Sequence, residues 1–337
     1  MLLHTRSFAR LGLVGNPSDG YYGKTVSCVF ENFWADVTIY ETPELEILPG
    51  DVDEHLFKDL DHLVKDVRLF GYYGGVRLLK ATSKVFAEHC REQGIALPKR
   101  NFTARYTSNI PRLVGLSGSS AICTAMFKAL MKFYEVEIPL PLIPTLCLNA
   151  EKRELGIECG LQDRVIQMYE GMVYMDFDRT LVEGRGYGEY LPMDPGLLPP
   201  IYVAYDPSRA EVSGIYHQKL RVLFEEKKPD IVAAMSEFAD LACQTRDALL
   251  AGRKERIPVL MNANFDLRDR VFNVAPENRR MVHVARGIGA AAKFAGSGGA
   301  IVGTYEDEAM YNRLVTALGA IGCTVLKPIL NQGRWHQ

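Results

Sequence analysis

The stretch Pro111–Ala129, P-R-L-V-G-L-S-G-S-S-A-I-C-T-A-M-F-K-A, restricts the fold more than any other part of this chain. A loop rich in glycine and serine runs straight into a segment where Ile122, Ala125, Met126, Ala129, Leu130 and Phe133 recur at helical spacing. That periodicity predicts an amphipathic helix with one face in a core. Ser119 or Ser120 stands where the helix should begin, and serine is favoured there because its hydroxyl accepts from a free backbone N–H. A loop that opens a helix presents unpaired N–H groups and the positive end of the helix dipole, a ready site for an anion and above all for phosphate. The same residues also suit a plain loop before a core helix, so the rest of the chain has to decide.

The chain has 337 residues, enough for two domains. With 47% hydrophobic and 24% charged residues it reads as an ordinary globular protein. Its net charge of -2 gives no field that would draw a nucleic-acid polymer or an acidic membrane surface. An anionic small molecule must therefore be met by local cations. The seven cysteines, Cys28, Cys90, Cys123, Cys147, Cys159, Cys243 and Cys323, are odd in number and form no C-x-x-C. They read as reduced thiols of a cytoplasmic protein, not as a disulfide framework or a zinc site. The opening M-L-L-H-T-R-S-F-A-R reads as too short and too polar for a signal peptide, and no apolar run approaches the roughly 18 residues of a membrane span.

Residues 8–15 predict a strand that ends in the turn-rich run N-P-S-D-G-Y-Y-G-K, with strand resuming over 27–33 and two short strands over 36–48. Acidic residues crowd 51–66, a helix is expected over 75–93, and a strand over 101–110 feeds the opening motif. Helices near 144–155 and 161–170 precede a strand at 172–177. The Gly-, Pro- and Arg-rich run 180–200 marks a domain boundary by composition, dividing the chain into 1–187 and 188–337. Beyond it come a strand at 201–205, helices over about 211–226, 229–253, 256–272, 276–292 and 306–321, and a strand at 323–328. The second half should be a compact α+β unit on an antiparallel sheet.

Three glycine-rich stretches, 15–24, 115–120 and 296–299, lie far apart, and none fits a P-loop or a Rossmann fingerprint. Between the second and third lies N-A-E-K-R-E-L-G-I-E-C-G-L-Q-D-R. It places Glu151 on one helix and Asp163 in the first turn of the next. A carboxylate there feels the positive helix end, stays ionised, and can orient a hydroxyl or accept its proton, although plain helix capping would explain it too.

In combination these parts resemble the GHMP kinase superfamily: the strand-and-glycine first motif, P-x-x-x-G-L-x-G-S-S-A at 111–121, the E…G-x-Q-D segment, and A-G-S-G-G-A at 295–300. Within it, L-V-G-N-P-S-D-G-Y-Y-G-K-T and S-N-I-P-R-L-V-G-L-S-G-S-S-A-I look like the plant-type glucuronokinases. The resemblance implies an α+β fold of two domains, an N-terminal α/β domain with most of the ATP site and a C-terminal ferredoxin-like domain. It implies that Gly115, Ser117, Gly118, Ser119, Ser120 and Ala121 form the phosphate loop, and that Ser120 and Glu151 hold Mg²⁺. Asp163 would face the substrate hydroxyl, and Arg10 would stabilise both that carboxylate and the transferring phosphoryl group.

Two departures from the superfamily pattern stand out. The usual G-L-G-S-S reads G-L-S-G-S-S here, with Ser117 as an extra residue, and Leu113 and Val114 replace the usual Gly and Ala. The first motif has Asn16, Pro17, Ser18 and Asp19 where galactokinases have Glu-His-Thr-Asp. The first-motif departure argues against galactose, the glucuronokinase-like proteins share both departures, and the resemblance implies the anomeric hydroxyl of D-glucuronate as acceptor. Other sugars (galacturonate, arabinose or a heptose phosphate) and a catalytically silent sugar- and ATP-binding regulator are the alternatives. A sugar acid needs a donor for its carboxylate, with Lys24, Arg105 and Arg112 as candidates. Asp19 and Gly298 complete the substrate list, and Asn262, Asn264 and Arg268 form a polar run in the second half.

Overall fold

The strand expected at 8–15 is the end of a longer one, β1 (Leu2–Val14), which turns through Ser18–Tyr21 into β2 (Lys24–Thr42). The computed structural model describes residues 1–49, 58–59, 74–208, 220–272 and 274–333. Most of the acidic run at 51–66 and of the helix expected at 211–226 lies outside the described residues. Sequence alone suggests short separate strands between 27 and 48, but β2 is continuous because it serves two sets of partners. β1 runs antiparallel beside it from Leu2↔Tyr40 to Val14↔Val26, with irregularities at Phe8/Ala9 and Gly12/Val14 that let two long strands twist together.

After the two-residue β3 (Glu46–Ile47) comes α1 (Gly75–Glu92), then β4 (Asn101–Ser108), paired along residues 35–42 of β2. The phosphate-loop segment leads into α2 (Gly118–Tyr134). All six residues of its expected apolar face are buried, but so are Ser120, Thr124 and Lys128. α2 is a central helix packed on β1, β2 and α1, not one with a solvated polar face. Its polar residues are paired inside: Thr124 with Ser7 at 2.7 Å and Lys128 with Glu170 at 2.8 Å.

The helix expected at 144–155 is split into α3 (Ile143–Asn149) and a wider π-helical turn, Ala150–Glu154, that carries Glu151. α4 (Gln162–Tyr169) follows, then β5 (Met172–Asp176), the short α5 (Arg179–Arg185) and β6 (Glu189–Met193). The first sheet has the order β3-β4-β2-β5-β6 with β1 on β2, so it extends past residue 188.

The second sheet begins at β7 (Ile201–Tyr205). Helices α6 (Pro229–Leu250), α7 (Arg256–Val271) and α8 (Pro276–Gly287) lead to the hairpin β8 (Lys293–Phe294) and β9 (Ala300–Thr304), and α9 (Glu308–Gly319) leads to β10 (Thr324–Leu326). The spatial order β10-β7-β9-β8 is antiparallel throughout. Strand–helix–strand–strand–helix–strand connectivity with that order is the ferredoxin-like arrangement. The halves share one core, which runs from Leu11 and Ala125 through Phe238 and Met261 to Val302. The chain end returns to the first sheet, where the Glu31 N–H donates to the Ile329 carbonyl at 2.8 Å.

Candidate active site

The loop before α2 reaches its shape through three left-handed residues, Leu113 (φ 57°), Gly115 (φ 74°) and Ser117 (φ 66°). The helix starts at Gly118 with Ser117 at the cap, so neither Ser119 nor Ser120 is the N-cap, and no side chain caps the helix. Its first-turn amides and dipole end are left for a ligand, and Gly118 and Ser119 line the cavity there. Ser120 is fully buried with its hydroxyl donated to the Ser117 carbonyl at 3.1 Å, and Ala121 is buried beside it.

Two of the glycine stretches meet in space. A Cβ on Gly115 would stand 2.6 Å from the Gly298 carbonyl oxygen, and one on Gly296 would stand 2.8 Å from Nη1 of Arg10. The loop before α2 and the β8–β9 hairpin therefore abut backbone to backbone, which only glycine permits. Arg10 fills the junction. Its Nη1 donates to the Gly115 carbonyl at 2.8 Å and to the Ala295 carbonyl at 3.0 Å. Arg268 holds the hairpin from behind, donating to the carbonyls of Gly296 and Ser297 at 2.8 and 2.6 Å. Gly298 thus serves the loop contact and lies outside the cavity lining.

Asp163, in the first turn of α4, is reached from two sides. Arg10 Nε donates to Oδ1 at 2.6 Å and Ser117 Oγ donates to Oδ2 at 2.8 Å, while Arg164 Nη1 stands 3.8 Å from Oδ2. Burial disfavours its charge, but the Arg10 and Arg164 guanidinium groups and the two hydrogen bonds outweigh that and hold the carboxyl below its ordinary value. Asp19, on the turn after β1, goes the other way. Burial and the negative charge of Asp163 push it up to about 7, against the Gln162 N–H bonded to it at 3.3 Å and the charges of Arg10 and Arg164. The two carboxyls lining one cavity therefore differ at neutral pH. Asp163 is ionised there, whereas Asp19, pushed up to about 7, titrates near neutrality.

Glu151 is fully buried on the cavity wall. Its Oε2 takes Nε and Nη2 of Arg164, the former at 2.9 Å, and its Oε1 has no hydrogen-bond partner among the described residues. An orphaned carboxylate oxygen on the wall of a cavity that Ser119 also lines is a donor that Mg²⁺ can use, since that ion takes most of its oxygens from phosphate and water. The Ser120 hydroxyl faces its own helix, and of Ser119 and Ser120 only Ser119 lines the cavity.

Of the three cations proposed for a sugar carboxylate, the structure brings only Arg112 to the cavity. Lys24 is paired with Asp176 at 2.6 Å, across the β2–β5 register, and lines no part of it. Arg105 is exposed on the face of β4 opposite Tyr106, and Tyr106 is the residue that faces the cavity. Asn262 and Asn264 are framework residues: Asn264 accepts from the Gly15 N–H at 2.6 Å and Asn262 from the Ala292 N–H at 3.0 Å. Sequence reasoning missed Gln162 and Arg164, the neighbours of Asp163. It also missed Lys293, whose buried amine bridges the Gly12 carbonyl and Asn16 Oδ1 at 2.6 and 2.7 Å.

Residues 77–171 match the model of the GHMP kinases N terminal domain. The chain is 46% identical to glucuronokinase 1 of Arabidopsis thaliana, over 88% of this chain and 83% of that protein. It is 47% identical to probable glucuronokinase 2 of the same plant, over 88% and 82%. Among solved structures, Streptococcus pneumoniae phosphomevalonate kinase in complex with phosphomevalonate and AMPPNP superposes with a TM-score of 0.75 at 16% identity, covering 96% of this chain and 98% of that one. Galactokinase of Lactococcus lactis superposes with a TM-score of 0.72 at 13% identity, over 98% and 94%.

Proposed function

Because the chain belongs to the GHMP kinase family, we propose that it is an ATP-dependent sugar kinase that phosphorylates the anomeric hydroxyl of D-glucuronate, giving D-glucuronate 1-phosphate. The observation that carries this reading is the convergence of an uncapped helix N-terminus, Arg10 and an ionised Asp163 on one cavity. The triphosphate would lie on the amides of Gly118 and Ser119. The sugar oxygen forms its bond to the γ-phosphorus as the bond to the β,γ-bridging oxygen breaks and ADP leaves. The hydroxyl proton passes to Asp163.

The transition state of phosphoryl transfer is loose, so the protein acts mainly by placing the reactants and stabilising charge. Arg10 does both, because one guanidinium orients Asp163 and ties the phosphate loop to the β8–β9 hairpin. Mg²⁺, held by Glu151 with a hydroxyl of Ser119 or Ser120, would offset the phosphate charge. Arg112 lines the cavity and is the candidate for the sugar carboxylate among the three proposed cations, and Asp19, pushed up to about 7, can donate to a sugar oxygen when protonated. Among the described residues no helix is long and apolar enough to cross a membrane, and all seven cysteines are free thiols, which agrees with a cytoplasmic setting.

The test is ADP release by purified protein with ATP and Mg²⁺ over D-glucuronate, D-galacturonate, L-arabinose and a heptose phosphate. Turnover should be highest with D-glucuronate, and the product should show the acid lability of an anomeric phosphate. A higher kcat/KM for another sugar would overturn the substrate, and ATP binding without turnover of any sugar would favour the silent regulator.

A further inference from the structure

We infer that Ser117 is a positioning residue for phosphoryl transfer, fixing the Asp163 carboxylate through its hydroxyl. The inference rests on the reading of Asp163 as the proton acceptor and adds a role for the extra residue in the loop. Ser117 has φ 66°, a conformation that glycine adopts freely and a side chain resists. Glycines flank it one and two positions away, at Gly118 and Gly115, so a loop needing only that shape has an obvious alternative residue.

The surroundings hold Ser117 in place. Its carbonyl accepts from Ser120 Oγ at 3.1 Å, from Gln167 Nε2 at 3.0 Å and from the Ala121 N–H at 3.1 Å. Three donors on one oxygen fix the peptide, and the fixed peptide aims Oγ at Asp163 Oδ2, 2.8 Å away. A strained residue held by several independent contacts is what a functional constraint leaves in a fold.

The bond complements that of Arg10. Arg10 occupies one side of Oδ1 and Ser117 one side of Oδ2, so the carboxylate cannot rotate, and the remaining lone pairs point to fixed directions. A second cation in place of Ser117 would hold the carboxylate as well but would lower its basicity further. A neutral hydroxyl orients it with a smaller loss. The charged groups around Asp163 are Arg10 from β1, Arg164 on its own helix and Asp19 on the turn after β1.

Ser117→Gly and Ser117→Ala separate geometry from chemistry. Gly removes the hydroxyl and relieves the left-handed strain, whereas Ala removes the hydroxyl and keeps the strain. Both should lower kcat about tenfold or more, the loss expected for a hydrogen bond to a charged group, with KM for ATP within twofold of the parent. The acid limb of the kcat profile should move to higher pH in both. Ser117→Gly should melt no lower than the parent while losing the same activity, which a purely structural role would not produce.

An independent readout is the ¹³C-NMR titration of the aspartate carboxyls in ligand-free protein, with the Asp163 signal assigned by its loss in Asp163→Asn. Its midpoint should rise in both variants. Unchanged kcat and pH profile in Ser117→Gly, or an unmoved Asp163 midpoint, would overturn the assignment. If the parent turns over no sugar at all, the functional reading fails, and the Asp163 midpoint alone then decides whether Ser117 sets that carboxylate.

Discussion

Replacing Arg10 with Met should disable the site without unfolding the protein. Met keeps the apolar stem and removes a guanidinium that makes three bonds: to Asp163 at 2.6 Å, to the Gly115 carbonyl at 2.8 Å and to the Ala295 carbonyl at 3.0 Å. Removing one member of a buried ion pair costs about 3–5 kcal/mol. The side chains here are 7% and 20% exposed, and Asp163 keeps Ser117 and Arg164, so the low end applies, about 3 kcal/mol. For a chain of this size that is a melting point lower by about 5 °C.

The effect on turnover should be larger. Loss of one preorganised donor to the developing charge reduces kcat about 10²–10³-fold. Lys at the same position should recover little, since an ammonium cannot serve a carboxylate and two carbonyls in a fixed fork. The pH dependence follows from the depressed pKa of Asp163. A carboxyl depressed in the fold contributes stability that is present above its unfolded value and lost as pH falls through the folded value. The stability gap between parent and Arg10→Met should therefore be full at pH 7 and narrow below about pH 4, leaving only the share due to the two carbonyls. Calorimetry across that range, with kcat at saturating substrate, checks both. A variant within threefold of the parent in kcat, or a gap independent of pH, would refute the reasoning.

Asp163→Asn should lower kcat by at least about 10³-fold while nucleotide affinity, measured by calorimetry, stays within a few fold. Arg112→Ala should raise KM for the sugar acid about tenfold, the loss of one charge-assisted bond, while Lys24→Ala and Arg105→Ala leave kcat/KM within twofold. Gly296→Ala should drive the hairpin against Gly115 and Arg10, lowering kcat and the melting point together.

Much of this was legible because local patterns carry it. The Pro111–Ala129 loop and helix, the strand leading into them, and Asp163 in a helix first turn all follow from turn chemistry and periodicity. What was not legible depends on which faces meet. Strand alternation puts Arg105 and Tyr106 on opposite faces but does not say which face borders the cavity. The cavity lies on the buried side, where Gly75 gives the Tyr106 ring room. Lys24 read as a possible ligand because its partner, Asp176, lies on a strand far along the chain. The burial of α2 on nearly every side follows from packing, since Thr124 and Lys128 look solvent-facing until Ser7 and Glu170 are placed beside them. Ser117 read as an extra residue of the phosphate loop, and its bond to Asp163 came only with the distance between them.

The three bonds of Arg10 also set a schedule. Along the chain Arg10 is made before Gly115 and Asp163, and Ala295 after all three. A chain cut short before the β8–β9 hairpin lacks the last of these contacts and the wall that the hairpin provides. Such a fragment would have no finished catalytic centre with which to consume ATP. Under the proposed function, competence to split a phosphoanhydride thus waits for the β8–β9 hairpin, and a copy cut short before it stays idle.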